Sequence, residues 1–251
     1  MNRVGDMSSD QQATPVTPVP GEQAKVLIWD LPVRVMHWGL ALSVLGAWLT
    51  RELPGDWFKW HTAFGYAVLV LTVTRILWGW VGTRHARFAN FVRGPRAIVA
   101  YLRGDWHPAT DGRAAGHNPL GALMIVAFLA MLLAQAVSGL FANDQVLETG
   151  PLFGYVDPGT SDRLTTLHKQ LFDGLLVAIV VHVAAALFYL WYRRENLILP
   201  MITGRKPAAG LAAGAPIERS RVALALLIAA AVAAVLGWLV QTAPVASLYV
   251  F

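Results

Sequence analysis

The chain has no cysteine at any of its 251 positions. That excludes disulfides, thiolate zinc sites, cysteine-ligated iron–sulfur clusters and thioether-attached haem. Any redox centre has to be held by histidine, methionine or carboxylate side chains, or without a covalent bond. Charge is scarce too: Asp, Glu, Lys and Arg make up 14% of the sequence, against about 25% in soluble domains. The deficit is gathered into long uncharged runs, which places the chain among membrane proteins. Beside a membrane, a net charge of +5 records basic loops and gives no footing for a nucleic-acid partner.

What is present is organised in five apolar segments. Residues 1–24 are polar, rich in proline and threonine, and lack the basic-then-apolar pattern of a signal peptide. They read as a disordered arm. The apolar segments are Leu31–Leu49, Ala63–Gly82, Pro119–Phe141, Leu164–Tyr192 and Val222–Val240. Each is near or above the ~20 residues that carry a helix across about 30 Å of hydrocarbon. The fourth is long enough to tilt or to project beyond it. The expected fold is all-α: a four-helix membrane bundle within residues 25–206, then a linker and an additional C-terminal transmembrane helix within 207–251.

The loops give an orientation. Segment 83–117 carries Arg84, Arg87, Arg93, Arg96, Arg103 and Arg113, and segment 193–221 carries Arg193, Arg194, Arg205, Lys206, Arg219 and Arg221. The opposite loops offer Arg51, Lys59 and Arg163, twelve cations against three. The basic loops are therefore expected in the cytoplasm, with the N-terminus inside and the C-terminus outside. The outer loop 142–164 is acidic, with Asp144, Glu148, Asp157 and Asp162. Trp29, Trp78, Trp80 and Trp191 fall at the inner boundary in this frame, and Trp48, Trp57, Trp60 and Trp238 near the outer one, where amphipathic rings favour the headgroups.

Four of seven histidines, His37, His61, His168 and His182, lie in or at the mouth of apolar segments, where ionisable groups are costly and point to function. His168 and His182 share one segment, about four helical turns apart. That is about 1400° of helix rotation, within about 40° of the same face, with a rise of about 21 Å. His61 opens the second segment at the outer level of His168, and His37 lies at the inner depth of His182. A lone membrane histidine commonly just bonds to a neighbouring helix; four that pair by depth are not explained that way. The ~21 Å separation also argues against one convergent zinc or copper site. The pairs His37–His182 and His61–His168 instead suit two haem irons, each ligated from both axial sides, inner and outer. His85, His107 and His117 are read as loop residues, with His117-Asn118-Pro119 as a helix start.

Three cations are candidates for the haem carboxylates. Arg75 follows His61 at the spacing that separates His168 from His182, Arg34 precedes His37 by about one turn, and Lys169 adjoins His168. Snorkelling to the interface, or exposure to water, is the competing explanation.

Several stretches together resemble the prokaryotic cytochrome b561 family, which includes the b-type cytochrome subunits of nickel–iron hydrogenases. They are Trp29-Asp30-Leu31-Pro32 with Arg34 and His37-Trp38, Trp60-His61 with Gly65, and His117-Asn118-Pro119-Leu120-Gly121. Gly139-Leu140-Phe141-Ala142-Asn143-Asp144, Leu167-His168-Lys169 and the run from Arg194 to Lys206 extend the likeness over about residues 27–206. The resemblance implies a four-helix core with two haem b groups ligated by His37, His61, His168 and His182, exchanging electrons between membrane quinone and a redox partner. The expected function is electron transfer across a bacterial inner membrane, from or to the quinone pool, with a periplasmic partner such as a cytochrome c attracted by the acidic outer loop. A homo-oligomer is compatible with this. The rivals are a standalone quinol or superoxide oxidoreductase and a haem-containing anchor subunit of a larger redox complex. A transporter is remote, since the segments show no pair of broken helices.

Overall fold

The computed structural model describes residues 24–53, 56–106, 117–145, 148–208 and 216–244. The arm expected over 1–24, apart from Ala24, and His107 lie outside the described residues. The five apolar segments are helices: α1 (Leu31–Glu52), α2 (Phe58–Val81), α5 (Pro119–Leu140), α6 (Pro158–Trp191) and α8 (Val222–Gln241). Between them lie the shorter α3 (Phe88–Phe91), α4 (Pro95–Arg103) and α7 (Ile198–Thr203), and two strands, β1 (Lys25–Leu27) and β2 (Arg205–Pro207). Among the described residues, four helices are long and apolar enough to cross a membrane: α2, α5, α6 and α8. At 22 residues α1 matches them in length, but Arg34, His37, Ser43, Thr50 and Arg51 dilute its apolar content.

Helix starts follow capping chemistry. Asp30, Asn118 and Asp157 cap α1, α5 and α6, each accepting a backbone N–H three residues on, and each is followed by a proline in the first turn. A carboxylate or amide oxygen satisfies an orphan N–H there, and proline has none to lose. The cap at Asp157 explains why α6 starts well before Leu164: its first turns are polar, and hydropathy does not register them.

Small residues set the packing. A Cβ at Gly46 would lie 2.6 Å from the Phe64 ring, and one at Gly39 would lie 3.0 Å from Leu71, so α1 and α2 pack closely. Val68, Leu69, Leu132, Ala136, Leu140, Leu175 and Leu236 form a core shared by α2, α5, α6 and α8. The C-terminal helix α8 packs along α2, and Tyr155 of the outer loop donates to the Thr242 carbonyl (3.3 Å) at its end. α6 packs on α5 and stands off α1 and α2. A gap runs between them.

Both ends of that gap are fastened. At the inner end β1 pairs antiparallel with β2, Val26 opposite Lys206. Gly204 (φ +79°) ends α7, and its carbonyl accepts Ile28 N (2.9 Å) and Trp29 N (3.0 Å). A Cβ there would stand 2.6 Å from the Trp29 carbonyl, so only glycine fits. The start of α1 is thus tied to the segment after α6. Asn118 Nδ2 also donates to the hydroxyls of Tyr101 (3.1 Å) and Tyr189 (3.2 Å), which bond to each other. Burial and the Tyr189 bond push the Tyr101 phenol up to about 12. At the outer end Asn143 Nδ2 donates to Ser161 Oγ (2.5 Å) and Asp162 (3.0 Å), and Ser161 Oγ donates to the Phe141 carbonyl (2.7 Å).

The tryptophans divide. Trp48, Trp57, Trp60, Trp80, Trp191 and Trp238 are exposed on the helix surfaces, as a headgroup belt requires. Trp29 and Trp78 instead turn inward and are almost fully buried, because Trp78 Nε1 finds an internal acceptor in Asp30 (3.0 Å).

Candidate metal centre

Register begins at Asp30, which is 1% exposed. One carboxylate oxygen caps α1 through Val33 N (2.7 Å); the other accepts Trp78 Nε1 and the Thr83 hydroxyl. A single side chain therefore fixes the start of α1 against the end of α2, and with it the depth of His37 two turns on.

Across the gap the histidine rings meet in pairs. His37 and His182 have ring centroids 6.2 Å apart at 57°, and His61 and His168 have centroids 6.2 Å apart at 80°. An imidazole nitrogen sits about 2 Å from a metal ion it ligates, with the ring centre about 1 Å further back. Two rings facing one ion from opposite sides thus lie about 6 Å apart. Both pairs meet that spacing. Among the described residues no three His, Cys, Asp or Glu side chains converge, so each pair is a two-ligand set, unlike a tetrahedral zinc site.

The outer pair is oriented by carbonyls. His61 Nδ1 lies 2.8 Å from the Ala47 carbonyl of α1, and His168 Nδ1 lies 2.9 Å from the Gln135 carbonyl of α5. A carbonyl only accepts, so both Nδ1 atoms carry the proton and each Nε2 keeps its lone pair. Gln135 Nε2 stands 3.2 Å from that Nε2 of His168. A Cβ at Gly139 would fall 2.8 Å from His168 Cε1, so the ring needs glycine beside it. In the inner pair His37 Nδ1 is buried without a partner, and Phe128 meets His182 edge-on at 5.6 Å.

A cavity opens at the outer pair, bordered by Val44, Trp48, Gly65, Leu132 and Phe172 around the two rings. A Cβ at Gly65 would touch nothing within 4 Å, and Gln135 Oε1 is buried with no partner. Empty room above a ligand's next helical turn, apolar walls and an orphaned polar atom together fit a flat, largely apolar group carried between the rings, as haem is.

The candidate cations occupy distinct places. Arg75 is buried; it donates to the Ala86 carbonyl (3.3 Å), and its guanidinium lies 5.7 Å from the Phe88 ring centroid. Arg34 donates to the Ile202 carbonyl (2.6 Å) and thereby helps tie α1 to α7. Lys169 is exposed. Sequence reasoning passed over Arg51 and Gln135, which line the outer cavity. Arg51 follows His37 at the same spacing that separates His61 from Arg75, a signal open to inspection. His117 and His85 lie in loops, as expected, yet both are packed against aromatic rings. His117 lies 4.5 Å from the Trp29 ring and 5.2 Å from Phe91, and His85 is buried beside Trp29. Burial, reinforced by Arg75, Lys206 and His85, pulls the His117 imidazole down to about 3.

Comparison with known proteins places the sequence in a family. The chain aligns with a probable Ni/Fe-hydrogenase B-type cytochrome subunit of Azotobacter vinelandii, 28% identical over 215 residues, covering 73% of this chain and 89% of the relative. The corresponding proteins of Bradyrhizobium diazoefficiens (28% over 214 residues; 72% and 85%) and Rhizobium leguminosarum bv. viciae (28% over 217 residues; 74% and 90%) align similarly. No solved structure matches. Residues 28–204 match the description of the prokaryotic cytochrome b561 family, from the residue after β1 through α7, so α8 lies beyond the shared part. This chain is a multi-pass membrane protein belonging to the prokaryotic cytochrome b561 family.

Proposed function

We propose that the chain is a diheme b-type cytochrome that carries electrons across the inner membrane between the quinone pool and a periplasmic redox partner. In this reading His37 and His182 hold an inner haem b, and His61 and His168 hold an outer one. The observation that carries it is the pairing of rings, at 6.2 Å twice, by two histidines that α6 presents on one face at two depths. Haem held by these histidine pairs would supply one-electron chemistry.

The chain's own residues do the rest. The Ala47 and Gln135 carbonyls fix the tautomer of the outer ligands. Apolar side chains of α1, α2, α5 and α6 exclude water from the gap. Residues 25–206 form the cofactor domain and 207–251 an added linker and span. With α1 crossing alongside the four more apolar helices, the N-terminus lies in the cytoplasm. Quinone approaches the inner end, and Arg34, Arg75 and Lys169 remain candidates for cofactor or headgroup carboxylates.

The relatives are named as hydrogenase cytochrome subunits, which favours a hydrogenase-type partner over a soluble cytochrome c. It also supports the second reading, a haem-bearing membrane subunit of a larger complex. The acidic outer loop serves its own structure as well as any docking: Asp157 caps α6, Asp162 accepts from Asn143 and Gln145, and Asp144 accepts Glu148 N.

The test is haem per polypeptide by pyridine haemochrome on detergent-purified protein, with each of the four histidines changed to alanine. Two haems are expected in the wild type, one of them lost in His37→Ala or His182→Ala and the other in His61→Ala or His168→Ala. A wild-type chain without haem sinks the reading.

A further inference from the structure

We propose that Arg51 binds the carboxylates of the outer haem and raises its reduction potential; this rests on the diheme reading above. The first two long helices share one design. α1 carries His37 and, about four turns later, Arg51; α2 carries His61 and, at the same spacing, Arg75. That spacing returns to within about 40° of the same face and rises about 21 Å. Because α1 and α2 are antiparallel neighbours, each arginine stands at the level of the other helix's histidine. At the inner end Arg75 donates to the Ala86 carbonyl and lies near the Phe88 ring. Arg51 lies on the wall of the outer cavity.

Three observations converge there. Val44, Ala47, Trp48 and Arg51, spaced 3, 4 and 7 along α1, form one stripe facing the cavity that His61 and His168 also line. Ala47, one turn before Arg51, supplies the carbonyl that orients His61. Arg51 is the single cation among the described residues lining that cavity; Lys169, though next to His168, is not among them.

A group with an apolar body and two carboxylates on one edge therefore meets apolar walls and one guanidinium, whose planar fork suits a carboxylate. A positive charge beside a redox group favours the form that has gained the electron, so Arg51 raises the midpoint of the outer haem and leaves the inner one alone.

Redox titration of the full-length protein in detergent, with haem content, tests this. The outer wave is identified as the one missing in His61→Ala. Arg51→Gln is expected to lower it by about 59 mV or more, a tenfold change for one electron, or to release the outer haem, with the inner wave unmoved. Arg51→Lys, which keeps the charge without the fork, is expected to show a smaller shift. Lys59→Gln removes an exposed outer cation and should move neither wave.

Two haems with both waves at wild-type positions in Arg51→Gln would overturn the proposal. If that variant loses both haems together, Arg51→Lys decides: a shifted outer wave with an unmoved inner one supports it, and two unmoved waves overturn it. Wild-type protein without haem instead overturns the diheme reading, and this inference with it.

Discussion

Replacing Asp30 tests whether one buried carboxylate sets the register of the first two helices. Asp30→Ala removes the cap of α1, which costs about 0.5–2 kcal/mol. It also strips the acceptor from Trp78 Nε1 and the Thr83 hydroxyl, both on buried residues. Each stranded donor costs about 1–3 kcal/mol, so the expected loss is about 2.5–8 kcal/mol. Asp30→Asn keeps an oxygen for the Val33 N–H and turns an amide toward Trp78. The Thr83 hydroxyl can rotate to accept from that amide, which leaves one opposed donor and a loss of about 1–3 kcal/mol. Unfolding in mixed micelles with increasing SDS, followed by helical circular dichroism, measures both losses. On the diheme proposal, the alanine variant should also shed its inner haem before its outer one, because Asp30 lies two turns before His37. Equal losses in the two variants, or an alanine variant within about 1 kcal/mol of wild type, would show that Asp30 does not bear this load.

Two further outcomes follow from the packing and the buried histidine. Gly65→Leu places its Cβ in open space and exchanges glycine for a good helix former, worth up to about 1 kcal/mol. The apoprotein should therefore be no less stable while, on the diheme proposal, outer haem content falls at least tenfold; retention of that haem would mean the space is not the cofactor's. The second concerns pH. His117 is neutral in the folded protein down to about pH 3, whereas the unfolded chain protonates near 6.5. Its contribution to stability is thus complete above 6.5 and shrinks as pH falls toward 3, by about 1.4 kcal/mol per unit below 6.5. His117→Phe, which keeps a ring between Trp29 and Phe91, should flatten stability between pH 6.5 and 4 by that slope; an unchanged slope refutes it.

Legibility in the sequence followed the kind of physics involved. Hydropathy located the five long helices because lipid demands long apolar runs, and Asn118 before Pro119 was readable as a helix start, whereas Asp157 before Pro158 read only as an acidic-loop residue. The pairing of histidines by depth followed from 3.6 residues per turn and a count of spans. What escaped detection depends on contacts between distant segments. β1 and β2 are three residues each and exist because Gly204 brings residue 205 back to residue 27. α4 is too short and too charged to register in a hydropathy scan. Trp29 and Trp78 look like headgroup anchors until their acceptor and their neighbours are known. His85 and His117 do lie in loop segments, but their burial there depends on neighbours such as Trp29 that the sequence does not place beside them. Arg51 could have been found by the spacing rule already applied to Arg75, but its place at a helix end made it read as an outer-loop charge.

The stand-off of α6 has a structural cause and a functional consequence. Apolar helices gain little from water exclusion inside lipid, so their approach is set by packing, hydrogen bonds and tethers at their ends. At the outer end Asn143, Ser161 and Thr165 pin α6 to the end of α5. At the inner end Tyr189 joins Tyr101 and Asn118, while β2 and Gly204 hold the following chain to β1 and Trp29. Between these tethers α6 is held at a distance from α1 and α2 where imidazoles meet and backbones do not. Both ring pairs are thus held at this spacing by the protein's own contacts. Loosening a tether should weaken cofactor binding at the near end first, since each pair lies closest to its own clamp.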